Sequence, residues 1–301
     1  MERDQVRSSV GEYFEANYGR NILSVRQKVF TPEFKFTAYT QNLIVGKPED
    51  VKLSKNIFST FDIWNFSGGE IRNHHFGQRL ENSILHLAKT GQIVLIFDTD
   101  DLNFPYLAYL NSLGLIKTPF NFTQLDAHFD INDLEAKPPK KKDLDSIFKF
   151  QQKGVGVANF LTAMAATGYL KKLVHVNPAI LMTMGGEPPE VYSNIKRYGV
   201  EFEYISPYFK FFNRFPRLLK GKEPTVLAFD VDFFGSDLTR NKRTASEKTD
   251  LYLGLIKKNG YTPEKCPVIC IATSPGFNEG FRDDEEKLEI VNQIIDRLTL
   301  H

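Results

Sequence analysis

Cysteine is scarce. Cys266 and Cys270 are the only two in 301 residues, so neither a disulfide framework nor a thiolate zinc ribbon can be built. An excess of one charge is lacking too, since 38 Lys and Arg face 37 Asp and Glu for a formal net charge of +1. That balance excludes a general electrostatic hold on nucleic acid or on an acidic membrane and leaves only local patches. No apolar run reaches bilayer length, because the longest, roughly Val155 to Leu170, is interrupted by Asn159, Thr162 and Thr167. The opening MERDQVRSSV has no apolar core of the kind a secretory signal carries, so the expected location is cytoplasmic. Internal repeats and low-complexity tracts are missing as well, which removes solenoids and tails from consideration.

What remains is an ordinary globular composition, 42% hydrophobic and 25% charged, long enough to bury most of its apolar area without staples. Residues 1–90 are aromatic and polar, and segments such as VFTPEFKFTAYT alternate as strands or edge hairpins do. They read as an N-terminal extension, with residues 91–301 as the core. Helical spacing over Gln78 to Lys89 (Leu80, Ile84, Leu85, Ala88) predicts a helix stopped at Gly91. After it, IVLIF at 93–97 is a short continuous apolar run, the mark of a strand covered on both faces. NFTQL (121–125), LVHV (173–176), FEYI (202–205), TVLAF (225–229) and VICIA (268–272) read as further strands. Helices are expected at 158–170, 188–198, 246–259 and 283–298. This alternation predicts a three-layer α/β/α fold with a mostly parallel central sheet. In such a sheet ligands sit beyond the carboxyl ends of the strands.

Three of those runs end in acidic residues. IVLIF leads into Asp98-Thr-Asp100-Asp101, NFTQL into Asp126-Ala-His128-Phe-Asp130, and TVLAF into Asp230-Val-Asp232. On an extended backbone, residues two apart point the same way. Asp126, His128 and Asp130 can then converge, as can Asp98 with Asp100 and Asp230 with Asp232. One strand-end Asp is ordinarily a cap or a loop residue. Three clusters of the same spacing are a different matter, because so many carboxylates repel unless a cation neutralises them. Carboxylates with one imidazole and no thiolate suit hard or borderline divalent ions, Mn²⁺ or Mg²⁺ ahead of Zn²⁺. Bridging carboxylates favour a pair of ions.

The element Asp126-Ala-His128-Phe-Asp130 followed by Ile-Asn, with Asp230-Val-Asp232 later, resembles the arginase/agmatinase (ureohydrolase) superfamily. TDDLNFPYLAYL, ANFLTAMAATGYLKKLVHVNP, FDVDFF and IATSPGF are similar to an atypical branch that includes peptide arginases. The resemblance spans roughly residues 90–280. It implies an arginase-like fold holding two Mn²⁺ ions on Asp100, Asp126, His128, Asp130, Asp230 and Asp232. Asp126 and Asp230 would bridge, and Asp130 would also shuttle the proton. Asp100 stands where the family has a histidine. The activity implied is hydrolysis of a guanidino group, converting arginine in a precursor peptide to ornithine with release of urea. No further histidine occurs between His128 and His175, which disfavours free arginine as substrate. An arginine-containing peptide is the expected partner, with no nucleic acid and no membrane. Glu279 is the candidate for holding the guanidinium.

Two other classes compete. VLIFDTDD resembles the motif of haloacid-dehalogenase-like phosphatases, with Asp98 as nucleophile and Asp100 as acid and base, but this leaves Asp126-Ala-His128-Phe-Asp130 unused. A catalytically silent peptide-binding scaffold of arginase fold is the third. Lys137 to Lys142 reads as a solvated loop, and YFKFFNRFPRLLKGK at 208–222 as a covering segment with basic tips rather than a stacking platform for single strands. His74-His75 reads as a surface turn, His175 as a core or pocket-wall residue, and the two cysteines as buried free thiols.

Overall fold

The computed structural model describes residues 43–45, 84–88, 90–112, 114–177, 192–205, 219, 223–236, 243–274 and 280–299. Their strands are β1 (Leu43–Val45), β2 (Ile84–Leu87), β3 (Ile93–Phe97), β4 (Phe120–Leu125), β5 (Leu170–Val176), β6 (Glu201–Ile205), β7 (Thr225–Asp230) and β8 (Val268–Ala272). They form one sheet in the order β1-β2-β3-β8-β7-β4-β5-β6. From β3 to β6 every neighbouring pair is parallel. Each run expected to be a strand from Ile93 onward is one.

The helix expected over Gln78 to Lys89 is not there: Ile84–Leu87 is a strand, antiparallel to β3. Gly91, read as a helix stop, is instead the turn. It sits at φ +82, Gly91 N donates to Ala88 O at 2.8 Å, and Ala88 N donates to Gln92 O at 2.9 Å. A four-residue apolar segment fits either period, and pairing with the buried strand beyond the turn decides for the ladder. The VFTPEFKFTAYT segment, His74-His75, Gly185-Gly186, residues 208–218 and 220–222, and Glu279 lie outside the described residues.

The helices are α1 (Asn103–Ser112), α2 (Leu144–Gly154), α3 (Phe160–Ala166), α4 (Ser193–Lys196), α5 (Asp232–Gly235), α6 (Ala245–Lys258) and α7 (Asp284–Thr299). Strand alternation splits the core in two. Leu95, Phe97, Phe122, Ala228 and Cys270 pack with Leu107 of α1, Phe148 of α2 and Phe160 of α3. Val94, Ile96, Leu227, Phe229 and Ile271 pack on the other face with Phe233 of α5, Leu253 of α6 and Ile290 of α7. Three layers result, and burying each large apolar side chain contributes about 1.5–3 kcal/mol. Local signals start two helices. Asp143 accepts from Ser146 N at 2.9 Å ahead of α2, and Thr244 with Glu247 forms a capping box ahead of α6. Among the described residues no helix is long and apolar enough to cross a membrane.

Candidate metal centre

Beyond β4, Asp126 N still donates to Val176 O at 3.1 Å, which continues the ladder one residue past the strand. The chain then turns sharply, because Asp126 Oδ1 accepts from His128 N at 2.7 Å. Asp230, the last residue of β7, repeats the device by accepting from Asp232 N at 3.1 Å. A short carboxylate bonding the amide two residues on is the Asx-turn habit. It brings members of each pair together through a turn rather than along an extended strand. Adjacent strands set the two turns side by side, since Leu125 is in register with Phe229. His128 Nδ1 then reaches Asp232 Oδ2 at 2.9 Å and lies 3.8 Å from Asp126 Oδ1. Asp130 sits in the left-handed region at φ +53, and its carboxyl bonds those of Asp100 and Asp126.

Asp100 arrives by a different route. The chain leaves β3 into a 3-10 turn over Asp100–Leu102, so strand parity does not govern Asp98 and Asp100. Asp98 is held by its own neighbour, accepting from Thr99 N at 2.6 Å. Asp101 ties the turn to α2, accepting from Thr99 Oγ1 at 2.6 Å and from Gln151 Nε2 at 2.9 Å. Only Asp100 of the three joins the cluster. There Gln124 meets it: Nε2 donates to Asp100 Oδ2 at 3.1 Å and also to Asp126 Oδ2. Sequence reasoning passed over Gln124, although its position two before Asp126 on a strand puts both on one face.

Among the described residues two groups of ligand atoms emerge, Asp126 with His128 and Asp232, and Asp100 with Asp126 and Asp130, each within 4.8 Å. Asp126 belongs to both. Asp230 adjoins them and raises the cost of ionising Asp100, while its own carboxylate accepts from Asp232 N and bonds the side chain of Ser274. Five of the six residues expected as ligands therefore lie in these two groups, with Asp230 alongside.

Burial is the main reason that the carboxyls of Asp100, Asp126, Asp130 and Asp230 all hold their protons more tightly than usual. Mutual repulsion adds to it, and at Asp100 and Asp126 the bond from Asp130 works the other way. Burial opposes charge on His128, but its bond to Asp232 and the charges of Asp232, Asp126 and Asp230 outweigh that and push it up to about 10. The carboxyls are buried, whereas the His128 side chain is 46% exposed at their edge; carboxyls buried so close together hold protons or a cation. The donors, carboxylate oxygens with one imidazole nitrogen, fit Mn²⁺ or Mg²⁺, and the shared Asp126 fits two ions side by side.

Around this lies a supporting layer. Asn177 Nδ2 donates to His128 O, and Tyr204 Oη donates to Asn177 O at 2.5 Å. His175, fully buried and in register with Gln124, has Nδ1 3.1 Å from Tyr192 Oη. Burial lowers its pKa to about 3. It is a wall residue and belongs to neither ligand group. A cavity of about 570 Å³ opens elsewhere, between Phe120, Lys171, Glu223, Thr225 and Pro267 at the amino ends of the strands. It shares no residue with the carboxylates, and ligand chemistry rather than cavity size locates the centre. Lys140, Lys141 and Lys142 are exposed in a loop, as expected.

No protein-family model and no curated protein matches this chain.

Proposed function

We propose that the protein is a Mn²⁺-dependent hydrolase of a guanidino group, acting on arginine within a peptide and releasing urea and an ornithine side chain. The observation that carries the reading is the meeting of two ligand groups on Asp126 at the carboxyl edge of a parallel sheet. Resemblance of Asp126-Ala-His128-Phe-Asp130 and Asp230-Val-Asp232 to the ureohydrolases supplies the reaction.

A bound ion pair would supply Lewis acidity and lower the pKa of a water. Asp100, Asp126, His128, Asp130 and Asp232 would hold it, with Asp230 completing the set. Asp130 is the residue placed to move a proton. Its carboxyl shares hydrogen bonds with Asp100 and Asp126, and a carboxylate beside the ions is a group that can accept a proton and return it. In the reaction, oxygen of water bonds the guanidinium carbon while its proton passes to Asp130. The C–N bond to the side chain then breaks as Asp130 returns the proton to the departing amine. The surplus of carboxylates would attract and orient the cationic guanidinium.

Purified protein with Mn²⁺ should release urea from arginine-containing peptides, and far less from free arginine or agmatine. No urea from any of these would overturn the reading. Phosphate released from a phosphomonoester without urea would move the chemistry to Asp98 and Asp100.

A further inference from the structure

The two groups that meet at Asp126 differ in chemistry. One includes the imidazole of His128; the other, Asp100 with Asp126 and Asp130, offers oxygen alone. Beside the second stands Gln124, which is fully buried. Its Nε2 lies between Asp100 Oδ2, at 3.1 Å, and Asp126 Oδ2. Its Oε1 is buried and without a hydrogen-bond partner. That oxygen leaves the shared planar carbon in a different direction from the nitrogen, so it is the amide N–H that faces the two carboxylates. A buried amide N–H shared by Asp100 and Asp126 fixes the direction of two carboxylates of the oxygen-only group.

We propose that the centre is asymmetric by construction. The Asp100–Asp126–Asp130 position selects an oxygen-preferring cation, Mn²⁺ or Mg²⁺, and Gln124 aligns its ligands. The Asp126–His128–Asp232 position takes Mn²⁺ or Zn²⁺. The proposal rests on the two-ion reading above. The physical cause is donor type: imidazole favours zinc, whereas carboxylate and carbonyl oxygens favour magnesium and manganese. Gln124 acts through Asp100 and Asp126, as outer partners of metal ligands do. Filling is then sequential with zinc and complete with manganese.

The test is calorimetric titration of the full chain, stripped by chelator, with Zn²⁺, Mn²⁺ and Mg²⁺, alongside electron paramagnetic resonance of bound Mn²⁺. Zinc should show one tight step per chain and a second roughly tenfold or more weaker, while Mg²⁺ displaces one of two Mn²⁺ ions. Gln124→Leu removes one bond to Asp100 and one to the shared Asp126, so it should weaken the Mn²⁺ step that Mg²⁺ displaces by about 10–100-fold and the tight zinc step by much less. Asp100→His should bring the second zinc step close to the first. Two equal zinc steps in the wild type, or a Gln124→Leu variant that weakens both Mn²⁺ steps equally or neither, would overturn the asymmetry and leave the hydrolase reading standing. Absence of any metal binding would overturn both.

Discussion

At the scale of the residue, the centre is built from side chains that bond their own backbone two residues on. Asp126 and Asp230 both do this, and the turn they fold is what carries His128 and Asp232 to the same place. Asp98 spends its Oδ1 on Thr99 N. The first prediction separates them. Asp126→Asn should abolish metal loading while Asp98→Asn keeps it, as read by metal content after gel filtration. A second concerns pH. For a group whose pKa is raised on folding, the stabilisation is present below its unfolded value and lost as pH rises through the folded one. His128, pushed up to about 10 but with a side chain 46% exposed and so screened by solvent, contributes a modest stabilisation that is present below about 6.5 and fades above. The buried carboxyls act in the same direction from the carboxylate range upward. His175, lowered to about 3, works oppositely, but only below about 6.5, where its unfolded form charges. Between pH 7 and pH 9 the chelated protein should lose thermal stability steadily, and the gap between Mn²⁺-loaded and chelated melting temperatures should widen. A gap that narrows would contradict the burial described here. The spacing of Asp126, His128 and Asp130 was legible as a centre. Gln124 was not, because an amide declares no chemistry until its neighbours are known.

At the scale of the element, local pattern succeeded for short apolar strands and for helices with one apolar face, and failed for a helix buried all round and for a short segment that becomes a strand only by pairing across a turn. The bounds of α6 and α7 fall within a residue of those expected, and α6 begins with the capping box of Thr244 and Glu247. By contrast α1 is buried from Asn103 through Leu110 and shows almost no amphipathic contrast to find. β2 needed β3 to become a strand. Two elements near the centre touch more closely than any side chain permits. A Cβ on Gly280, which lies at φ +76, would stand 1.7 Å from Gly235 O at the end of α5. Gly280→Ala should therefore cost more than about 1 kcal/mol in urea denaturation and weaken Mn²⁺ binding, since α5 begins at Asp232. An unchanged midpoint and affinity would show that the contact does not position Asp232.

At the scale of the whole molecule, two cores on opposite faces of one sheet shut both thiols away. Cys266 and Cys270 are fully buried, and burial pushes Cys266 up to about 12 and Cys270 higher still. Neither should react with Ellman's reagent in the native protein, and both should react in denaturant with the rate of unfolding. Rapid native labelling would contradict the packing. By itself the sequence determined the strands from Ile93 onward, the last two helices and the residues that could hold a metal ion, because apolar period and ligand type are local properties. Only the tertiary structure decided that β8 and β7 lie between β3 and β4, that Asp100 enters and Asp98 does not, and that Gln124 joins the carboxylates. The strand order and the meeting of Gln124 with Asp100 depend on contacts between segments apart in the chain, and Asp98 is turned aside by the fold of the chain at Thr99.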